Sequence, residues 1–262
     1  MSQVFVTSNP EPGTRNAKHY IRDVVFLHGW GSEAAIWEDL ARRLTPRFRV
    51  HALPLPGYGA GPASTAGSLQ SMAAAVAASA PRRCGVVGWS LGGEIALAWA
   101  RHAPGQVQRL ALFGTTPCFT RKPGWPCATA PQVLVEFGEL LAADRASTLA
   151  RFAGVQARGD ARARHVAGVL RRHSERSASN NVLLAGLAVL SSADLRRELF
   201  KVKQPALVLH GARDRIVPPA AGLRLARALP HARFALLRTC AHAPFVAQPE
   251  RTAKALRQFF DE

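Results

Sequence analysis

No apolar run in the 262-residue chain reaches the roughly 18 residues that a membrane-spanning helix needs, so none of it is expected to cross a bilayer. Cysteine is scarce. Cys84, Cys118, Cys127 and Cys240 show neither metal-ligand spacing nor a dense disulfide framework, and read as free thiols in a reducing cytoplasm. The opening stretch, MSQVFVTSNPEPGTRNAKHY, lacks a basic segment followed by an apolar one, so no secretory signal is expected there. Acids are few, 17 against 34 lysines and arginines, and lysine is confined to Lys18, Lys122, Lys201, Lys203 and Lys254. Arginine therefore carries the net charge of +17; an arginine-favouring genome and an acidic partner each account for it. No DNA-binding basic helix and no RNA-binding aromatic signature accompanies that charge, so nucleic acid is not the expected partner.

What is present suits a globular protein with one sizeable core, at 48% hydrophobic and 19% charged residues. Strand and helix signals alternate, which predicts a mostly parallel sheet with helices on both faces. Strands are expected at Asp23–His28, Phe48–Leu53, Cys84–Trp89, Arg109–Phe113, Ala206–His210 and Arg233–Leu237. Helices are expected at Ser68–Ala80, Leu91–His102, Pro219–Leu229 and Pro249–Phe260, and Ser32 is placed to cap one carrying Ile36, Trp37, Leu40 and Leu44. From about Thr120 to Ala193 the alternation stops: no convincing strand, several helical stretches, many arginines. An insertion there would lie above the strand ends, where open sheets bind ligands. The expected organisation is a core of residues 1–119 and 194–262 with a helical lid, 120–193, inserted in it.

Gly88-Trp89-Ser90-Leu91-Gly92 fits G-x-S-x-G between an expected strand and an expected helix, the context in which such a serine is a nucleophile. The glycines let the backbone close tightly around a strained turn that lifts Oγ into the open, at the positive end of a helix. Serine needs a base to take its proton and an acid to orient that base. In α/β-hydrolases the chain order is Ser, Asp or Glu, then His. Asp214 follows the strand ALVLH and a short turn; His242 lies between the last strand and the last helix. Other histidines suit the role less: His102 ends a helix, His165 and His173 lie in the insertion, and His51 and His210 sit in or beside strands as core residues. The expected oxyanion donors are the backbone N–H groups of Leu91 and of Trp30, in the loop His28-Gly29-Trp30-Gly31 after the first strand, with His28 a structural hydrogen-bonder.

HGWG (His28–Gly31), LPGYG (Leu55–Gly59), GWSLGG (Gly88–Gly93), PCF (Pro117–Phe119) with Trp125-Pro126, Arg151-Phe152 to Gln156, DRIVP (Asp214–Pro218) and HAPF (His242–Phe245) follow one another in this chain. In this order they resemble the BioH-type pimeloyl-[acyl-carrier protein] methyl ester esterases of biotin synthesis, from about Asp23 to Phe260. The resemblance implies an α/β-hydrolase fold and a cytoplasmic enzyme, taken here as a monomer, that needs no metal or organic cofactor. It implies substrate contacts at Trp30, Ser90, Leu91, His242 and the segment Phe152, Ala153, Gly154, Val155 and Gln156. It also implies lid arginines that meet the acidic carrier protein. From Arg145 to Arg176 eight arginines face two acids, a net +6 in 32 residues. Arg145, Arg151, Arg158, Arg162 and Arg164 are the expected carrier contacts, assigned by region. In an unbroken helix Arg151, Arg158 and Arg162 would share a face, but Gly154 and Gly159 argue against continuity. Thr239 and Cys240 stand just before HAPF, where the family has small residues. A broad short-chain carboxylesterase, a lactone or C–C hydrolase, and a non-catalytic homologue are the alternative readings of the same motifs.

Overall fold

In the computed structural model, which describes residues 21–59, 61, 67–176 and 178–262, six apolar runs form one parallel sheet. They are β1 (Asp23–Leu27), β2 (Arg49–Leu53), β3 (Cys84–Trp89), β4 (Val107–Phe113), β5 (Ala206–Gly211) and β6 (Ala232–Leu237), ordered β2-β1-β3-β4-β5-β6. The stretch read for a secretory signal lies outside the described residues. β3 is buried along its whole length, as an interior strand of a parallel sheet covered on both faces must be.

Side chains alternate across the sheet with the strand period of two. Val25 and Leu27 face one cluster with α2 (Leu69–Ser79), α3 (Leu91–His102) and α8 (Pro219–Ala228). Val24 and Phe26 face the other, with α1 (Glu38–Leu44) and α10 (Pro249–Asp261). Ser68 caps α2 through a capping box with Ser71. Ser32 does not cap a helix. A 3-10 turn, Ala34–Trp37, precedes α1 with Glu33 before it and no side-chain cap, and the Ser32 hydroxyl is buried without a partner among the described residues. The turn buries Ile36 and Trp37, so apolar packing sets this entry rather than a hydroxyl cap.

Between β4 and β5 the chain runs through α4 (Pro131–Ala143), α5 (Arg145–Ala157), α6 (Ala163–Glu175) and α7 (Asn180–Ser192). Gly154 is accommodated inside α5, whereas Gly159, at φ 84°, sits in the break before α6. Two short helical pieces complete the fold, a 3-10 turn at Arg196–Lys201 and α9 (Pro244–Ala247). The chain steps outward from β1 to β2 and returns to place β3 on the other side of β1. At such a reversal the loops leaving the two strands diverge and open a crevice. The loops after β1 and β3 carry His28–Gly31 and Ser90 to that point.

Candidate active site

Ser90 stands between β3 and α3 with φ 55° and ψ −119°, the one non-glycine residue at positive φ among those described. Such a conformation is costly for a residue with a Cβ and persists only when its surroundings enforce it. They do so here. The Ser90 N–H donates to Phe113 O (2.9 Å), while its carbonyl accepts from the N–H groups of Gly93 (2.9 Å) and Glu94 (3.2 Å). A Cβ at Gly92 would lie 2.4 Å from Leu27 O and one at Gly88 2.6 Å from Gly92 O, so both flanking glycines are required by close backbone approach.

The loop after β1 lies against this turn: a Cβ on Gly29 would come within 3.3 Å of the Ser90 Cβ. Its shape is held by the LPGYG segment. The Leu55 N–H donates to His28 Nε2 (3.1 Å), and the Gly31 N–H reaches the Tyr58 hydroxyl (3.4 Å). Because Nε2 accepts, the His28 proton is on Nδ1, which donates to Gly29 O (2.9 Å). Burial lowers the His28 pKa to about 4, so this imidazole stays neutral and braces the loop. The Trp30 indole N–H donates to Leu183 O (2.8 Å) of α7, tying the same loop to the insertion. Leu91 is the first residue of α3, and the first four N–H groups of a helix have no acceptor within it.

Asp214 and His242 come from the loops after β5 and β6. His242 Nδ1 lies 2.8 Å from Asp214 Oδ2, and both side chains are buried. Asp214 Oδ1 accepts from the N–H groups of Ile216 and Val217, each at 2.9 Å. Burial pushes the Asp214 pKa up, but the His242 charge and the hydrogen bonds from His210 and His242 outweigh it and hold the carboxyl well below the usual range. An ionised Asp214 takes the Nδ1 proton of His242 as a hydrogen bond and leaves Nε2 as the basic nitrogen. The imidazole is further fixed through its backbone, with Trp89 Nε1 donating to His242 O (2.9 Å) and His242 N donating to Gln156 O (3.1 Å).

Gly29, Trp30, Ser90 and His242 open onto one cavity of about 310 Å³ between the sheet edge and the insertion. Its wall is aromatic: Trp30, Phe137 and Phe152 pack with each pair of ring centroids 5.4 Å apart. Cavities of this size and apolar character suit a small ligand's chain.

A family model described as alpha/beta hydrolase fold matches residues 24–249. The chain is 40% identical over 231 residues to the pimeloyl-[acyl-carrier protein] methyl ester esterase of Nitrosomonas europaea, covering 87% of this chain and 92% of that one. It is also 40% identical over 238 residues to the protein so named from Aromatoleum aromaticum, covering 88% and 95%. This chain belongs to the α/β-hydrolase fold family, on the branch of these esterases. Among solved structures, an esterase from Exiguobacterium antarcticum matches 93% of each chain with a TM-score of 0.84 at 23% identity, a likeness of fold alone.

Against that family pattern, the segment Phe152–Gln156 divides by helical phase. Phe152, Val155 and Gln156 line the cavity, whereas Ala153 is packed into the core and Gly154 is exposed, neither among the lining residues. The arginines divide too. Arg145 donates to Ala178 O (2.7 Å) and Arg162 to Ala247 O (3.1 Å), so these two guanidiniums bind the protein's own backbone. Arg151, Arg158, Arg162 and Arg164 are exposed, and Arg151 lines the cavity.

Several contributors were not anticipated. Val133, Leu134, Phe137 and Leu140 of α4 line the cavity; their spacing marks one helical face, which would have shown a wall but not what it encloses. Arg215, beside the acid, also lines it. His210 is buried in its strand, but not as a residue satisfied by core contacts alone. Its Nε2 lies 2.9 Å from Val217 O and 3.2 Å from Asp214 Oδ2, and its Nδ1 has no partner among the described residues. The cue available was its place four residues before Asp214.

Proposed function

We propose that this protein hydrolyses the methyl ester of a pimeloyl group carried on acyl carrier protein, a step of biotin synthesis, with Ser90 as nucleophile, His242 as base and Asp214 as its orienting acid. One observation carries the reading: Ser90, forced to φ 55°, shares an apolar cavity with a histidine whose other ring nitrogen is 2.8 Å from a buried carboxylate. His242 Nε2 takes the Ser90 proton as Oγ attacks the ester carbonyl. The N–H groups of Trp30 and Leu91 hold the oxyanion, each such donor contributing about 3 kcal/mol to the transition state. His242 then protonates the departing methoxide to methanol, and water repeats the sequence to free the carboxylate.

Trp30, Phe152, Val155 and Gln156 enclose the acyl chain in this reading, and residues 120–193 act as the lid. The acidic carrier docks on the exposed arginines Arg151, Arg158, Arg162 and Arg164, with no nucleic acid or cofactor involved. In this reading the enzyme works as a monomer in the cytoplasm.

The test compares kcat/KM for pimeloyl methyl ester on acyl carrier protein with the same acyl group on a small thiol, with Ser90→Ala as the inactive control. Arg158→Glu and Arg164→Glu together should lower kcat/KM on the carrier at least about tenfold, leave the small thioester unchanged, and weaken the salt dependence. Equal rates on carrier and thiol, insensitive to salt, would favour a general carboxylesterase.

A further inference from the structure

The loop that presents His242 is held by the core on one side and by the turn between α5 and α6 on the other. Along its edge successive backbone groups pair with that turn and with the last turn of α5. Thr239 O accepts from Ala161 N (2.9 Å), Ala241 N donates to Asp160 Oδ2 (2.8 Å), and His242 N donates to Gln156 O (3.1 Å). Arg213, next to the acid, donates to Gly159 O (2.6 Å), so the same turn also touches the Asp214 loop.

Asp160 is the one side chain in this set that reaches from the turn to the base loop. It is 7% exposed, and its two oxygens divide their work: Oδ1 accepts from Arg162 N (2.8 Å) within the turn, and Oδ2 crosses to Ala241. Ala241 is fully buried, so without Oδ2 its N–H would lose its partner away from water, next to the residue that must move a proton. Backbone displacement at position 241 is passed directly to His242, whose ring must keep both Asp214 and Ser90 in reach.

We infer that Asp160 is a positioning residue for the catalytic base, acting through Ala241 and fastening the insertion to the loop that carries His242. The inference rests on the esterase reading above. Asp160→Ser keeps an acceptor for the turn's own N–H but is too short to reach Ala241; Asp160→Asn has a single acceptor oxygen, which the buried Ala241 N–H claims, leaving its NH2 on the part-buried Arg162 side of the turn.

The test measures kcat and KM of both variants on a small methyl ester, with active sites counted by a covalent serine reagent. Asp160→Ser should lower kcat about tenfold or more with KM unchanged, since sub-ångström misplacement of a reacting group acts on the chemical step. Asp160→Asn should stay within about threefold of wild type, as a neutral hydrogen bond to Ala241 replaces a charged one and the acceptor it gives up serves only the turn at Arg162. Wild-type kcat in Asp160→Ser, or equal losses in both variants, overturns the inference. Failure of the unaltered protein to hydrolyse the ester overturns instead the reading on which it rests.

Discussion

Replacing Asp214 by asparagine alters one atom and should remove nearly all of the activity. The present carboxylate meets four donors: two backbone N–H groups at Oδ1, and His242 Nδ1 (2.8 Å) and His210 Nε2 (3.2 Å) at Oδ2. An asparagine must keep its carbonyl oxygen toward Ile216 and Val217, because the flipped amide would set its NH2 against two N–H groups. That orientation turns the NH2 toward both imidazoles. His242 Nδ1 then has to accept, and its proton moves to Nε2, the nitrogen needed as the base. The wrong tautomer costs about 10⁴ in kcat in comparable triads, or about 5.5 kcal/mol at 1.36 kcal/mol per tenfold. Steady-state hydrolysis of a small methyl ester at pH 7.5, normalised to titrated active sites, measures it.

The same variant carries a stability signature with a definite sign. The Asp214 pKa is depressed in the folded protein, so the ionised form contributes stability that is present above the ordinary carboxylate value and lost as pH falls through the folded one. The stability gap between wild type and Asp214→Asn should therefore be full at neutral pH and shrink as pH drops below about 4. A variant keeping more than about one-tenth of wild-type kcat would refute the tautomer argument.

Glu94, four residues after Ser90, is 1% exposed with Oε2 unpartnered among the described residues, and burial raises its pKa well above the usual value against a weaker opposing pull from Lys122. The folded protein therefore keeps the proton that the unfolded chain releases near 4.5, and wild type should lose up to about 1.4 kcal/mol per pH unit above that until the folded value is reached. Urea melts should find Glu94→Gln more stable than wild type at pH 8 but not at pH 4.5; parallel pH curves for the two would count against this. Gly114 has φ 50°, and a Cβ there would sit 3.0 Å from His242 Nδ1 and 3.2 Å from Asp214 Oδ2. Gly114→Ala should lose about 1–2 kcal/mol of stability and at least about tenfold in kcat; wild-type kcat would show that the pair tolerates crowding.

Much of the site was legible because its signals are local. Gly88, Ser90 and Gly92 declare a tight strand-to-helix turn within five residues, and φ 55° at Ser90 is the conformation such spacing demands. Asp214 and His242 could be read from their places just after apolar strands, since a parallel sheet delivers every such loop to the same end. The arginines between residues 145 and 176 were legible only as a region, because sequence shows charge but not whether a guanidinium also binds a backbone carbonyl, as those of Arg145 and Arg162 do. Ser32 misled for a related reason: a hydroxyl in a capping position is a local cue, and burial of Ile36 and Trp37 overrode it.

The sequence by itself therefore determined the fold class and marked Ser90, Asp214 and His242 as candidate site residues, through short-range pattern and strand-end position. Tertiary structure alone decided that Trp30 is tied to Leu183, that His210 shares the carboxylate of Asp214, and that Asp160 reaches Ala241. Trp30 and Leu183 are 153 residues apart, and Asp160 and Ala241 are 81. No periodicity spans such distances; these partners meet only once the sheet and the helices between β4 and β5 have packed, and that packing is what encloses the cavity at Ser90.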